Sequence, residues 1–287
     1  MTFIESIKNS SNEITLKKIG APIPELLITD QPCLNIAFLD VETTGLDKKN
    51  NEIIELAIKT IKVEKLSAKI VSIEGEYESF NDPNIDIPSE ITSLTGISNA
   101  MVKDEKINWQ RIDQLITESD IIIAHNAGFD RSFIDRYSLI STKKIWACSV
   151  NDIDWLKRGF TSSKQELLCY WHGFYFEAHR AMNDVDALIN LLTHRHYKNH
   201  RPLHELIENC TKSSYTIFAE NFPYNQEKKD IIKGYKYKWN PDIKIWYKNI
   251  KHNELEIEKE KLTSAIYDKI FRGRIEKIDP RDKYKSL

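Results

Sequence analysis

Long apolar runs are missing from this chain. The longest, such as Ile121 to Ala124, fall far short of the ~20 residues a helix needs to cross a bilayer, so no membrane partner is expected. The N-terminal stretch MTFIESIKNSSNEITLKK has no apolar segment of signal-peptide length, and the expected location is cytoplasmic. Cysteine is sparse. Cys33, Cys148, Cys169 and Cys210 lie far apart with no CxxC pair, which argues against a disulfide framework and a structural zinc site and for reduced, buried thiols. Glycine and proline number only nine each in 287 residues, beside 41% hydrophobic and 29% charged residues. That is the composition of a folded protein long enough to bury a real core, not of a disordered one. A dominant charge sign is lacking too. The net charge is -2, but Phe222 to Leu287 holds 17 Lys and Arg against 11 Asp and Glu, leaving 24 against 32 before it. The basic surplus sits in the tail.

What is present divides into three stretches. Residues 1–34 read as an arm, with a short amphipathic segment and then the proline-punctuated GAPIPELLITDQP. Within residues 35–208, NIAFLDVE, EIIELAIKTI and AKIVSIEGEYESF look like three consecutive strands, an antiparallel meander. INWQRIDQLITES has apolar residues at helical spacing, DIIIAHNA is a short buried strand and FDRSFIDRYSL an amphipathic helix. KIWACSV is a further strand, followed by the helices SSKQELLCYWHG and DVDALINLLTHRHY. Strands in a run and then alternating with helices imply an α/β fold, a mixed sheet flanked by helices. Residues 209–287 change texture and read as a small basic α+β module of βαββα order. SYTIFAE is its first strand, NQEKKDIIKG a short helix, YKYKWNPDIKIWYKNI a hairpin turning at Asn240-Pro241-Asp242, and a last helix runs from about Glu254 to Phe271.

One stretch, FLDVETTGL, stands out, because an apolar strand runs into two carboxylates, Asp40 and Glu42. Side chains alternate faces along a strand, so these two project to the same side. Two more acids repeat the oddity: Asp130, at the start of a helix after the strand leading through His125 and Asn126, and Asp184, five residues after His179 and opening an apolar helical pattern. Asp130 and Asp184 each have an ordinary alternative as first-turn acids facing the helix dipole. Together, however, carboxylates gathered at the ends of core strands would repel one another unless cations neutralise them. An all-oxygen donor set without cysteine favours Mg2+ or Mn2+ over zinc. Two such ions, about 3.5 to 4 Å apart, can clamp the attacking and leaving oxygens of a phosphoryl displacement.

FLDVETTGL, AHNAGFD and HRAMNDVD resemble the three motifs of the DEDDh-type 3'-5' exonucleases of the ribonuclease H-like superfamily, and are most similar to the proofreading epsilon subunit of bacterial DNA polymerase III and its stand-alone relatives. The resemblance spans roughly Asn35 to His196 and includes IPSEITSLTGIS, similar to the segment which that family sets beside the terminal nucleotide. It implies that Asp40, Glu42 and Asp184 bind the ion presenting the attacking water, that Asp40 bridges to a second ion held by Asp130, and that His179 is the general base, a role suited to a side chain titrating near neutrality. It places Thr43, Thr44, Gly45 and Leu46 against the terminal nucleotide, with Gly45 permitting a tight turn. Turn chemistry is an equal alternative for the two threonines. Asn126 joins the substrate-binding candidates, while His125 reads as structural.

The resemblance implies a metal-dependent 3'-5' exonuclease that hydrolyses the terminal phosphodiester of single-stranded or frayed DNA 3' ends and releases nucleoside 5'-monophosphates, in proofreading, repair or end trimming. RNA remains an alternative, because RNase T and oligoribonuclease share these acids and the histidine. A nucleic-acid-binding polymerase accessory module is the competing class. A DNA polymerase partner and a homodimer both stay open. In the tail, Tyr235, Tyr237 and Trp239 are expected to share one strand face and Lys236 and Lys238 the other. The preferred reading gives the aromatics to the module's core, and the alternative gives an aromatic and lysine surface that stacks bases.

Overall fold

The structure is a computed structural model that describes residues 15–25 and 28–286. The amphipathic segment expected at the start of the arm lies outside the described residues. Contacts divide the chain into two units, one reaching to Cys210 and taking in Tyr284, the other formed by Thr211–Lys283. Among the described residues no helix is long and apolar enough to cross a membrane.

The first unit begins with a two-residue strand, β1 (Lys17–Lys18), and the three expected long strands, β2 (Cys33–Thr43), β3 (Ile53–Glu64) and β4 (Ile70–Phe80). Helices α1 (Ser89–Thr95), α2 (Asn99–Val102) and α3 (Trp109–Thr117) lead to β5 (Ile121–Ala124), α4 (Ala127–Ile134), β6 (Ile145–Cys148), α5 (Ser149–Asp152), α6 (Gln165–Trp171), β7 (Phe174–Tyr175), α7 (Ala181–Leu192) and α8 (Pro202–Cys210). The main sheet has the order β4-β3-β2-β5-β6. Its first three strands are antiparallel and the last three parallel, giving the mixed, ribonuclease H-like sheet. Being central, β2 is buried on both faces from Ile36 to Leu39, which is why it reads as a continuous apolar run. Ile36 and Phe38 pack on one side with α6, α7 and α8, whereas Ala37, Leu39 and Val41 pack on the other with α3 and α4. At the edge, β4 carries the acids Glu74, Glu76 and Glu78, a pattern that discourages a further strand from pairing there. In the described part of the arm, β1 pairs with β7, and Glu25 makes a two-pronged ion pair with the buried Arg201.

Helix α7 departs from its expected span: it starts at Ala181 rather than Asp184 and stops at Leu192 rather than near Tyr197. Its early start has a cause remote in sequence, since Glu55 on β3 accepts the Ala181 N–H at 2.9 Å.

The second unit comprises β8 (Ser214–Phe218), α9 (Gln226–Gly234), β9 (Lys238–Asn240), β10 (Ile245–Lys251), α10 (Leu255–Ala265) and β11 (Arg274–Ile278), with the antiparallel order β11-β8-β10-β9. The last helix is shorter than expected because Asp268 and Lys269 take positive φ, and β11 is an added strand, making the order βαββαβ. Nor do the three tail aromatics share one strand face. Tyr235 caps α9 and Lys236 turns left-handed at φ 63°. Tyr237 is then buried in the module's core and Trp239 is 47% exposed.

Candidate active site

The row of side chains that builds one core layer also builds the site. Ile36, Phe38, Asp40 and Glu42 lie on the α7 face of β2. The parallel pairing with β5 ends at Phe38 opposite Ile123, so the two carboxylates lie just past it, in the crevice beyond the strand's carboxyl end where open α/β sheets hold ligands. Asp184, in the first turn of α7, completes the group: one carboxylate oxygen from each of Asp40, Glu42 and Asp184 lies within 4.8 Å of the others. Asp130, in the first turn of α4, stands outside this triplet. It is 3% exposed, and its Oδ1 accepts the Val41 N–H at 3.3 Å.

These acids disturb one another. Burial, then repulsion from Asp184, Asp130 and Glu42, raises Asp40 well above the ordinary carboxylate range. Burial, followed by Asp184 and Glu55, pushes Glu42 up to about 8. Burial likewise brings Asp130 and Asp184 to about 7, although backbone N–H donors oppose it at both. A close set of oxygen donors whose charges are mutually uncompensated fits a hard divalent cation, and no soft ligand stands in the triplet.

His179 is half-buried on the turn before α7, with a left-handed φ of 65°. Its N–H donates to Asp184 Oδ2 at 2.9 Å, and the Arg180 N–H donates to the same oxygen at 3.3 Å. One carboxylate therefore faces the cluster and also shapes the turn that carries the histidine. His125 bonds Ser149 Oγ at 2.6 Å through Nδ1, and burial lowers it to about 4. Asn126 is exposed at the N-cap of α4, where its side chain makes no capping bond.

After Glu42 both threonine hydroxyls are engaged in the turn. Thr43 Oγ1 donates to Gly45 O at 2.7 Å, and Thr44 Oγ1 accepts the Glu52 N–H at 3.0 Å. A Cβ on Gly45 would lie 2.6 Å from Asn51 Oδ1, the oxygen that accepts the Asp47 N–H. Leu46, by contrast, is 86% exposed.

Two residues that the sequence did not single out, Glu55 and Arg180, join the site. Glu55, fully buried, lies opposite Glu42 across the β2–β3 pair. Its Oε1 accepts from Arg180 Nε at 3.0 Å and Nη2 at 2.8 Å, while Oε2 holds the start of α7. The available signal was an acid inside the apolar run IIELAI, since a buried carboxylate requires a partner.

A mixed sheet with clustered acids at its open end and a histidine just before the last of them defines a DEDDh-type nuclease domain. The Exonuclease family model matches residues 37–192, more than half of the sequence, and the chain belongs to that family. Among curated relatives, the DNA polymerase III PolC-type of Clostridium perfringens is 31% identical over 164 residues, covering 53% of this chain and 10% of that protein. The PolC-type polymerase of Bacillus subtilis is 29% identical over 202 residues, covering 65% and 13%. This chain thus spans only a small part of the length of these relatives. Among solved structures, exonuclease X in complex with 5' overhanging duplex DNA aligns with a TM-score of 0.43 and 22% identity over 55% of this chain and 89% of that one.

Proposed function

We propose that the protein removes nucleotides one at a time from single-stranded or frayed DNA 3' ends, releasing nucleoside 5'-monophosphates. The observation that carries this reading is the triplet of Asp40, Glu42 and Asp184, with carboxylate oxygens within 4.8 Å of one another, in a chain of the Exonuclease family. Asp40, Glu42 and Asp184 would hold one Mg2+ or Mn2+ ion, with Asp40 and Asp130 serving a second. Bound there, such ions supply charge stabilisation and an acidified water. His179 accepts the proton from the attacking water, and Asp184 keeps it in place through the His179 N–H. Thr43, Thr44, Gly45 and Leu46 form the turn against which the terminal nucleotide lies, with the exposed Leu46 offering an apolar face to its base. Asn126, exposed at the end of α4, contributes to binding the strand.

DNA is favoured over RNA because the matching stretches of the relatives belong to DNA polymerases. The same relatives favour a polymerase context. The test is digestion of matched 5'-labelled single-stranded DNA and RNA with magnesium, manganese or chelator, comparing the wild type with His179→Ala. The expected result is a metal-dependent ladder shortening from the 3' end, faster on DNA and lost in the variant. A faster RNA ladder would reassign the substrate, and an unchanged ladder in His179→Ala would remove the histidine from the chemistry.

A further inference from the structure

The second unit contains a cavity of about 750 Å³ formed wholly by its own residues, within the size range of sites for small ligands. Its walls are aromatic. Trp246, at the rim of the module's core, and Trp239, its partner across the β9–β10 pair, stand with ring centroids 5.4 Å apart at an angle of 59°. Phe222 and the 71% exposed Tyr224 complete the aromatic lining. Trp246 is used for packing, with 9% of it exposed, but Trp239 is 47% exposed. A tilted pair of this kind leaves ring surface open to a flat partner.

The polar groups select the charge of that partner. Lys229 and Lys244 line the cavity, and among the described residues neither ammonium has an ion-pair or hydrogen-bond partner. The cavity's one acid, Glu220, is ion-paired with Arg274 at 2.6 Å, a guanidinium that Glu276 shares. Aromatic walls rimmed by unpaired cations suit a flat ring attached to an anion, and they disfavour a cationic ligand of the aromatic-cage type.

We propose that this cavity binds single-stranded nucleic acid, with a base stacked on Trp239 and the flanking phosphates met by Lys229 and Lys244. The identity of the strand rests on the exonuclease reading above, whereas the ring-beside-anion chemistry comes from the cavity itself. The module then acts as a second hold on the substrate, which raises the effective concentration of strand for a domain on the same chain. Of the tail aromatics whose preferred reading was the module's core, Tyr237 lies in that core, whereas Trp239 is exposed and suits the alternative.

The test measures fluorescence anisotropy of a labelled oligothymidylate of about 20 nucleotides with the full-length chain in chelator, so that binding is read without turnover. Trp239→Ala is expected to weaken binding about tenfold. The double variant Lys229→Ala, Lys244→Ala is expected to lower the slope of log affinity against log salt by about 1.4, or roughly 0.7 for each phosphate that a lysine no longer neutralises. In both variants, metal-dependent hydrolysis of the p-nitrophenyl ester of thymidine 5'-monophosphate, which has no flanking strand for the cavity to hold, should match the wild type. Unchanged affinity and salt slope in both variants would overturn the assignment and point to a protein ligand for the cavity. If the wild type fails to hydrolyse the ester yet binds the strand with these dependences, the exonuclease reading fails and the cavity assignment stands.

Discussion

Replacing Glu55 by alanine tests whether the start of α7 is held from β3. The change removes a fully buried carboxylate, and with it the acceptor for the Ala181 N–H and for two Arg180 N–H groups. Breaking a buried ion pair by deleting one partner costs about 3–5 kcal/mol when the other charge is stranded. Here the cost is lower, because the Arg180 side chain is 39% exposed and regains water. The buried Ala181 N–H left without an acceptor accounts for about 1–3 kcal/mol. Some of the loss is returned, since Glu55 is among the charges repelling Asp40, Glu42 and Asp184. A net loss of about 2 kcal/mol is expected, or a melting temperature lower by about 4–8 °C for a unit of this size. The turn bearing His179 would loosen with the helix start, and misplacement of this kind lowers kcat by roughly 10- to 100-fold. Thermal denaturation and single-strand digestion measure both effects. Glu55→Gln, which keeps an acceptor for Ala181, should recover most of the stability. Wild-type melting and kcat in Glu55→Ala would refute the reasoning, while wild-type melting with abolished turnover would make Glu55 a direct participant instead of a positioning residue.

Asp184→Asn keeps an oxygen for the His179 and Arg180 N–H groups but removes one charge from the cluster. It should abolish digestion and yet stabilise the chain by about 1–2 kcal/mol in chelator, read as a raised melting temperature. Gly45→Ala would displace Asn51 from the Asp47 N–H. An increase in KM for single strands and for the ester alike, because the ester's thymidine takes the place of the terminal nucleotide, with the chelated melting temperature nearly unchanged, is the expected outcome, and an unchanged KM on both substrates would contradict it. His172 is 5% exposed and bonded through Nδ1 to Leu168 O at 2.6 Å; burial lowers it to about 3. A depressed histidine binds its proton in the unfolded chain first, so stability falls as pH drops below about 6.5 toward 3. The share is about 2 kcal/mol between pH 7 and 5. Urea denaturation at the two pH values should show a smaller drop in His172→Asn than in the wild type, and identical drops would place the acid sensitivity elsewhere.

The parts of this fold that are local in sequence were legible. The periodicity of NIAFLDVE and EIIELAIKTI marks two central strands because β2 and β3 are buried over most of their length. The proximity of Asp40 and Glu42 follows from strand geometry alone, but their meeting with Asp184 does not, since α7 and β2 are brought together by the chain's route through the fold. The start of α7 at Ala181 was hidden because its cap comes from Glu55, 126 residues away. Strand β11 was missed because RIEKI is short and half-charged, and its strand identity comes from pairing with β8. The exposure of Trp239 was concealed by Lys236, whose left-handed backbone breaks an alternation that looked regular.

The junction of α7 with β3 has a second point. Lys59, 2% exposed and four residues beyond Glu55 on the same face of β3, is paired with Asp186, six residues beyond Arg180. The strand thus fixes the helix's rotational phase at two marks. An insertion in the loop before Arg180 leaves both marks aligned, whereas one extra residue between Arg180 and Asp186 turns Asp186 by about 100° and leaves the buried Lys59 ammonium with only Glu76 at 3.2 Å of its two carboxylates. Length variation is therefore better tolerated upstream of the helix than within its first two turns, the segment that also sets where Asp184 points.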